Sequence, residues 1–216
     1  AKLLKTKNIV ITSTSETYGS AQYVPINEQH PKVGQSPYSA TKIGADSIAV
    51  SFFRSFNTPV KIVRPFNIYG PRQSARAIIP TIGIQILNGS KKIKLGNLNA
   101  KRDLTFVKDT VEGFIEISKN EIFNGDSVNI GMNQEISVGD LVNKISEILN
   151  QKIEIINDKA RFRPKKSEVD RLICDNSKLT KHTNWKPNYD LDKGLRETLK
   201  WIDENKLLFK HEIYNK

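Results

Sequence analysis

Asn8-Ile-Val-Ile-Thr12 is a continuous apolar, β-branched run, the pattern of a strand buried on both faces of a parallel sheet. It gives way to a polar cluster, Ser13-Thr-Ser-Glu-Thr-Tyr-Gly19, and then to a loop marked by proline and glycine from Pro25 to Pro37. Tyr38 to about Phe56 reads as a helix, with Ile43, Ser47, Val50 and Arg54 spaced at successive turns. Pro59 stops it, and Val60-Lys-Ile-Val63 is the next strand. A strand–loop–helix–strand order with apolar strands is the mark of a doubly wound α/β sheet.

Working outward, Arg64 to Arg76 reads as a loop, and Ala77 to Leu87 as a helix with Pro80 in its first turn. Leu104–Val107 reads as a short strand feeding a helix at Asp109 to Lys119, and Ser127–Ile130 as another strand. Ser137-x-x-Asp140 is a capping signal. Val138, Leu141, Val142, Ile145, Ile148 and Leu149 then form one helical stripe, which belongs to the core. Lys152 to Ile156 is a strand, Arg161 to Lys166 a basic loop, and Asp190 opens a last helix with Leu191, Leu195, Leu199 and Ile202 inward.

The 216 residues, 38% hydrophobic and 26% charged, suit a globular chain with a sizeable core. No apolar run reaches membrane-spanning length, and no segment has the make-up of a secretory signal. Cys174 is the single cysteine, which excludes an intramolecular disulfide and fits a reducing cytoplasm. His30, His182 and His211 have no metal-ligand spacing and are expected at the surface or in caps. The net charge of +11 raises nucleic acid as a partner, but 25 lysines against 9 arginines, scattered throughout, point to a solvated basic surface instead. The chain starts at Ala1 and its only methionine is Met132, so a fragment is as natural a reading as a processed terminus.

Tyr38 and Lys42, four residues apart at a helix start, share one face. An ammonium beside a phenol favours the phenolate and makes tyrosine a usable base. The spacing alone is weak; its context raises it, with Thr14 at a strand end upstream and Arg64-Pro-Phe-Asn-Ile-Tyr-Gly-Pro71 downstream. Together with Arg102-Asp-Leu-Thr-Phe-Val-Lys-Asp109 and Arg163-Pro-Lys-Lys-Ser-Glu-Val-Asp-Arg171, these motifs resemble the extended short-chain dehydrogenase/reductase family, the NAD-dependent sugar-nucleotide epimerases and dehydratases. The resemblance covers essentially the whole chain.

The resemblance implies the C-terminal part of a Rossmann-type parallel sheet (residues 1–75 and 103–132) and a smaller α/β substrate-binding domain (76–102 and 133–216). By position, Thr14, Tyr38 and Lys42 form the catalytic triad: Thr14 bonds the sugar 4-oxygen, Tyr38 takes the 4-hydroxyl proton, and Lys42 holds the nicotinamide ribose. Pro65 and Phe66 fall at the nicotinamide end of NAD and Asn67 at the substrate. Arg102, Arg163 and, with less support, Arg76 clamp the nucleotide diphosphate.

The carboxylate separates subclasses. A 4-epimerase needs only hydride removal and return at C4, whereas a 4,6-dehydratase must also strip a proton from C5 and expel the C6 hydroxyl. Glu16, two residues past Thr14, is placed to do this, and Thr14-Ser15-Glu16 resembles the GDP-mannose dehydratase pattern. Ser15 occupies the place of an aspartate that protonates the leaving hydroxyl in the dTDP-glucose type; serine cannot, so Glu16 serves as both base and acid. The Arg163 motif resembles amino-sugar dehydratases of bacterial nonulosonic acid pathways, which implies UDP- or GDP-N-acetylglucosamine as substrate. The family also implies a cytoplasmic homodimer built through the Tyr38–Phe56 helix.

One departure is large: none of the twelve glycines forms the Gly-x-x-Gly-x-x-Gly turn that cradles the cofactor's pyrophosphate. Two alternatives therefore stand beside the dehydratase: a nucleotide-sugar 4-epimerase, and a non-catalytic fragment or pseudoenzyme. Strand Asn8–Thr12 is expected at an exposed sheet edge.

Overall fold

Three parallel strands, β1 (Ile9–Thr12), β2 (Val60–Pro65) and β7 (Ser127–Ile130), form a sheet in the order β1-β2-β7. The computed structural model describes residues 3–158, 161 and 171–209. Ile9 stands opposite Val60, and Val63 opposite Val128. Every residue of β2 is buried, whereas β1 is half-buried and Thr12 is exposed. The apolar run of β1 thus forms its strand and, as expected, lies at the edge of the sheet among the described residues, although only half-buried.

The remaining strands pair off: β3 (Asn67–Tyr69) parallel to β6 (Leu104–Phe106), β4 (Lys92–Leu95) parallel to β9 (Glu154–Asn157), and β5 (Lys101–Arg102) antiparallel to β8 (Ile136–Ser137). Six helices surround them: α1 (Pro37–Phe56), α2 (Ile78–Leu87), α3 (Val107–Lys119), α4 (Val138–Ile148), α5 (Ser177–His182) and α6 (Leu191–Glu204). The chain is a mixed α/β fold. One hydrophobic cluster joins β2 and β7 to α3 and α5 through Val63, Ile117, Val128, Leu179 and Trp185. A larger one joins α2, α4 and α6 to β4 and β6 through Ile82, Ile93, Phe106, Leu141, Ile145 and Leu199.

Several expectations are corrected by side-chain chemistry. The loop expected over Arg64–Arg76 contains the end of β2 and all of β3, because Asn67–Tyr69 pairs with β6 despite its flanking proline and glycine. On α1, Ile43 and Val50 are half-buried and Ser47 and Arg54 exposed, while Ser39 and Asp46 are buried. Helix α3 begins at Val107, before Asp109, because the Asp109 carboxylate instead accepts the backbone N–H groups of Asn188 (2.8 Å) and Tyr189 (3.0 Å). His30 is neither a cap nor at the surface: it is buried, its Nε2 accepts the Gln22 N–H at 2.9 Å, and its Nδ1 lies 2.8 Å from the Pro31 carbonyl.

Asp46 is buried because it holds Arg64. The guanidinium of this β2 residue donates from Nε (3.1 Å) and Nη2 (2.8 Å) to Asp46 Oδ2, and from Nη1 to the Tyr18 hydroxyl (2.9 Å). Tyr18 in turn donates to Asn129 Oδ1 of β7 at 2.7 Å. Asp46 and Arg64 are each 1% exposed. Close packing continues at Gly125, whose positive φ of 77° and lack of a Cβ admit the Phe53 ring of α1.

Removing one partner of a buried ion pair strands the other charge, at about 3–5 kcal/mol. Arg64→Met should lower unfolding free energy by that order in urea titrations, and adding Asp46→Leu should recover a large part of it. Burial pushes the Tyr18 phenol up to about 12, against the Arg64 charge that pulls it down. The folded phenol therefore stays protonated where the unfolded one ionises, so stability falls as pH rises from about 10 to about 12. Tyr18→Phe should flatten that part of the alkaline unfolding curve.

Candidate active site

The chain leaves β1 at Thr12 and turns at once. Thr14 is extended and caps a 3-10 turn over Ser15–Tyr18: its Oγ1 accepts the Glu16 N–H at 3.2 Å, and its carbonyl accepts the Thr17 hydroxyl at 2.8 Å. Because Oγ1 is used as an acceptor, the Thr14 O–H is left to donate outward. The turn buries Ser15 and exposes Glu16.

Helix α1 starts under a reciprocal cap. Ser36 Oγ accepts the Ser39 N–H (3.1 Å), Ser39 Oγ accepts the Ser36 N–H (3.0 Å), and Pro37 occupies the first turn. This fixes the direction in which Tyr38 leaves the helix, with the residue 51% exposed. One turn on, Lys42 Nζ donates to the Thr12 carbonyl at 3.0 Å and lies 5.9 Å from the centre of the Tyr38 ring. The lysine thus ties the helix carrying Tyr38 to the strand carrying Thr14.

These elements enclose a cleft of about 570 Å³. Thr14, Ser15, Glu16, Tyr38, Pro65, Phe66, Asn67 and Arg102 all line it. Lys42 lies behind it at Thr12, Arg76 is exposed on the segment before α2 and does not line it, and Arg163 lies outside the described residues. Ser13, Gln35 and Leu172 also line the cleft. The sequence reading assigned none of them a role, although Ser13 and Leu172 stand inside or beside the quoted motifs. A hydroxyl donor, a phenol, a carboxylate and a guanidinium around one cavity suit a polyhydroxylated, phosphorylated ligand and proton transfer upon it.

Asp103 follows Arg102 and lies outside the cleft lining. It is fully buried and accepts the N–H groups of Met132 (2.7 Å) and Cys174 (3.0 Å), fastening β5 and β6 to the segment that brings Leu172 to the cleft. Burial raises its carboxyl to about 6, although the backbone N–H bonds pull the other way. Gly131 permits this junction, since a Cβ there would collide with Cys174. No group of His, Cys, Asp and Glu among the described residues could hold a metal ion, and no helix is long and apolar enough to cross a membrane.

Residues 1–198 match the GDP-mannose 4,6 dehydratase family. The chain belongs to this family. The family member is 30% identical over 204 residues to a putative UDP-glucose 4-epimerase of Methanocaldococcus jannaschii, covering 92% of this chain and 64% of that protein. Its fold matches the crystal structure of dTDP-glucose 4,6-dehydratase from Bacillus anthracis in complex with NAD, with a TM-score of 0.85, 29% identity, 97% of this chain and 66% of that one covered. It also matches UDP-N-acetylglucosamine 4-epimerase from Methanobrevibacter ruminantium in complex with UDP-N-acetylmuramic acid, with a TM-score of 0.84, 27% identity, and 94% and 65% covered. The family member thus spans about two thirds of the length of these proteins, with a Rossmann-type sheet.

In Asp103→Asn an amide NH₂ replaces one acceptor oxygen and faces a backbone N–H. The expected cost is about 1–3 kcal/mol at neutral pH. Amide hydrogen exchange should quicken at Met132 or Cys174 before it does in β2.

Proposed function

We propose that the whole protein is an NAD-dependent nucleotide-sugar 4,6-dehydratase acting on UDP- or GDP-N-acetylglucosamine for bacterial surface-glycan or nonulosonic acid synthesis. The observation that carries the reading is the convergence of Thr14, Glu16 and Tyr38 on one cleft with Arg102. The chain spans less than two thirds of the length of the curated relative described above, and 58% and 59% of two others, so the activity is proposed for the whole protein; the 216 residues alone are proposed to be inactive.

The residues present fit one end of NAD. Lys42 beside Tyr38, with Pro65 and Phe66 across the cleft, suits the nicotinamide and its ribose. None of the twelve glycines supplies a pyrophosphate turn. When bound, NAD supplies the acceptor for the C4 hydride and the hydride returned to C6. The chain's own groups do the rest. The Thr14 hydroxyl donates to the sugar 4-oxygen, and Tyr38 takes the 4-hydroxyl proton. Glu16 removes the C5 proton and delivers a proton to the departing C6 hydroxyl, which leaves as water, and the proton held by Tyr38 is returned to C5 as hydride reaches C6. Arg102 holds the diphosphate, and Arg163 joins it. Arg76 has no support from its position outside the cleft wall.

The division into a sheet domain (1–75 and 103–132) and a substrate domain (76–102 and 133–216) has partial support from two hydrophobic clusters: Leu179 and Trp185 pack on the sheet side, and Tyr69, Leu104 and Phe106 on the substrate side. A homodimer through α1 is supported by Ile48, Phe52 and Phe56, exposed at successive turns of that helix. A cytoplasmic setting is supported by the buried free thiol of Cys174, and a nucleotide-sugar partner, not nucleic acid, by the cleft's chemistry.

The likeness to a putative 4-epimerase favours a second reading, and the missing glycine turn a third, a non-catalytic module. Full-length enzyme supplied with UDP- and GDP-N-acetylglucosamine should yield an alkali-labile 4-keto-6-deoxy product. Glu16→Gln should cut that yield by about 100-fold or more. A C4 epimer as sole product, indifferent to Glu16→Gln, would establish the epimerase. Tight NAD binding by the 216-residue chain alone would exclude the non-catalytic reading.

A further inference from the structure

Two residues that line the cleft, Ser13 and Asn67, each carry a buried side-chain oxygen, Oγ and Oδ1, without a hydrogen-bond partner. The sequence motif accounts for Asn67. Ser13 carries no role in the reading above, yet it stands between Thr12, whose carbonyl anchors Lys42, and Thr14. Its backbone N–H is spent on the Val63 carbonyl at 2.8 Å, which pins the residue to β2, and the residue is 3% exposed. A buried hydroxyl without a partner is a standing cost to the fold. Several hydroxyls nearby already hold protein partners: Thr14 Oγ1 accepts the Glu16 amide, Thr17 bonds the Thr14 carbonyl, and Ser36 and Ser39 cap each other. With no bond to lose, the Ser13 hydroxyl turns about χ1 at little expense.

We propose that Ser13 is a substrate-contacting residue whose hydroxyl bonds a hydroxyl of the hexose ring of the bound nucleotide sugar. The inference rests on the nucleotide-sugar reading of the cleft. A hydroxyl is the fitting partner because serine both donates and accepts, so it bonds a sugar O–H in either sense. It is placed on the strand end that carries Thr14, whereas the diphosphate falls to Arg102 on β5. Its contribution is positioning, since an unactivated serine beside Thr14 and Tyr38 adds no acid or base.

The test compares wild type with Ser13→Ala, which deletes one oxygen and leaves the packing. In the ligand-free chain the variant should melt roughly 2–4 °C higher, since an unpartnered polar group is removed. A lower melting point would mean that the hydroxyl already has a partner, and would overturn the proposal. Affinities are then measured by calorimetry for UDP-N-acetylglucosamine and for UDP, with GDP-N-acetylglucosamine and GDP as the second pair. For whichever pair binds, Ser13→Ala should weaken the nucleotide sugar about threefold to tenfold and leave the bare diphosphate unchanged. Equal affinity for the nucleotide sugar, or an equal loss for both ligands, would overturn it. Failure of wild type to bind either pair would defeat the nucleotide-sugar reading first, and this inference with it.

Discussion

A single buried guanidinium holds the site's framework together. Arg64 lies in the central strand β2, and reaches α1 through Asp46 and the turn after β1 through Tyr18; Tyr18 passes the connection on to Asn129 in β7. Four separate segments are thereby set relative to one another by hydrogen bonds of defined direction, which apolar packing alone does not give. Two of them, the turn at Thr14–Tyr18 and helix α1, carry the groups that line the cleft. The pair's worth lies in this orientation, because a buried ion pair gives little net stability over a well-packed apolar equivalent.

The outer connections repeat the device with carboxylates. Asp103 gathers backbone N–H groups from Met132 and Cys174, and Asp109 from Asn188 and Tyr189. In each case one short side chain replaces the ladder that irregular backbone lacks. Neither carboxylate lines the cleft, so both act on the framework around it.

Much of this was legible in the sequence, for identifiable reasons. β2 and α6 follow apolar periodicity and a capping aspartate, so the patterns at Val60–Val63 and Asp190–Ile202 locate them. The motif around Thr14, Glu16 and Tyr38 names residues that do share one cleft. What escaped depends on long-range pairing. β3 is three residues between a proline and a glycine, and becomes a strand only because β6 lies beside it. His30 looks like a loop histidine but is drawn inside by the Gln22 amide and the Tyr18 and Tyr23 rings. The buried position in the middle of α1 holds an aspartate, and hydrophobic spacing does not reveal a carboxylate whose partner is 18 residues away.

Among the described residues β1 pairs with β2 alone, and its outer side bears on the site. Its amides at Ile9 and Ser13 are spent on carbonyls at Pro59 and Val63, so by alternation those of Val10 and Thr12 face away from β2. On that side Lys42 already holds the carbonyl of Thr12. A strand adding to this edge would grip the same few peptide groups that aim Thr14 and anchor Lys42. Strand addition and occupation of the cleft would then share one piece of backbone, and by thermodynamic linkage each would strengthen or weaken the other by the same factor.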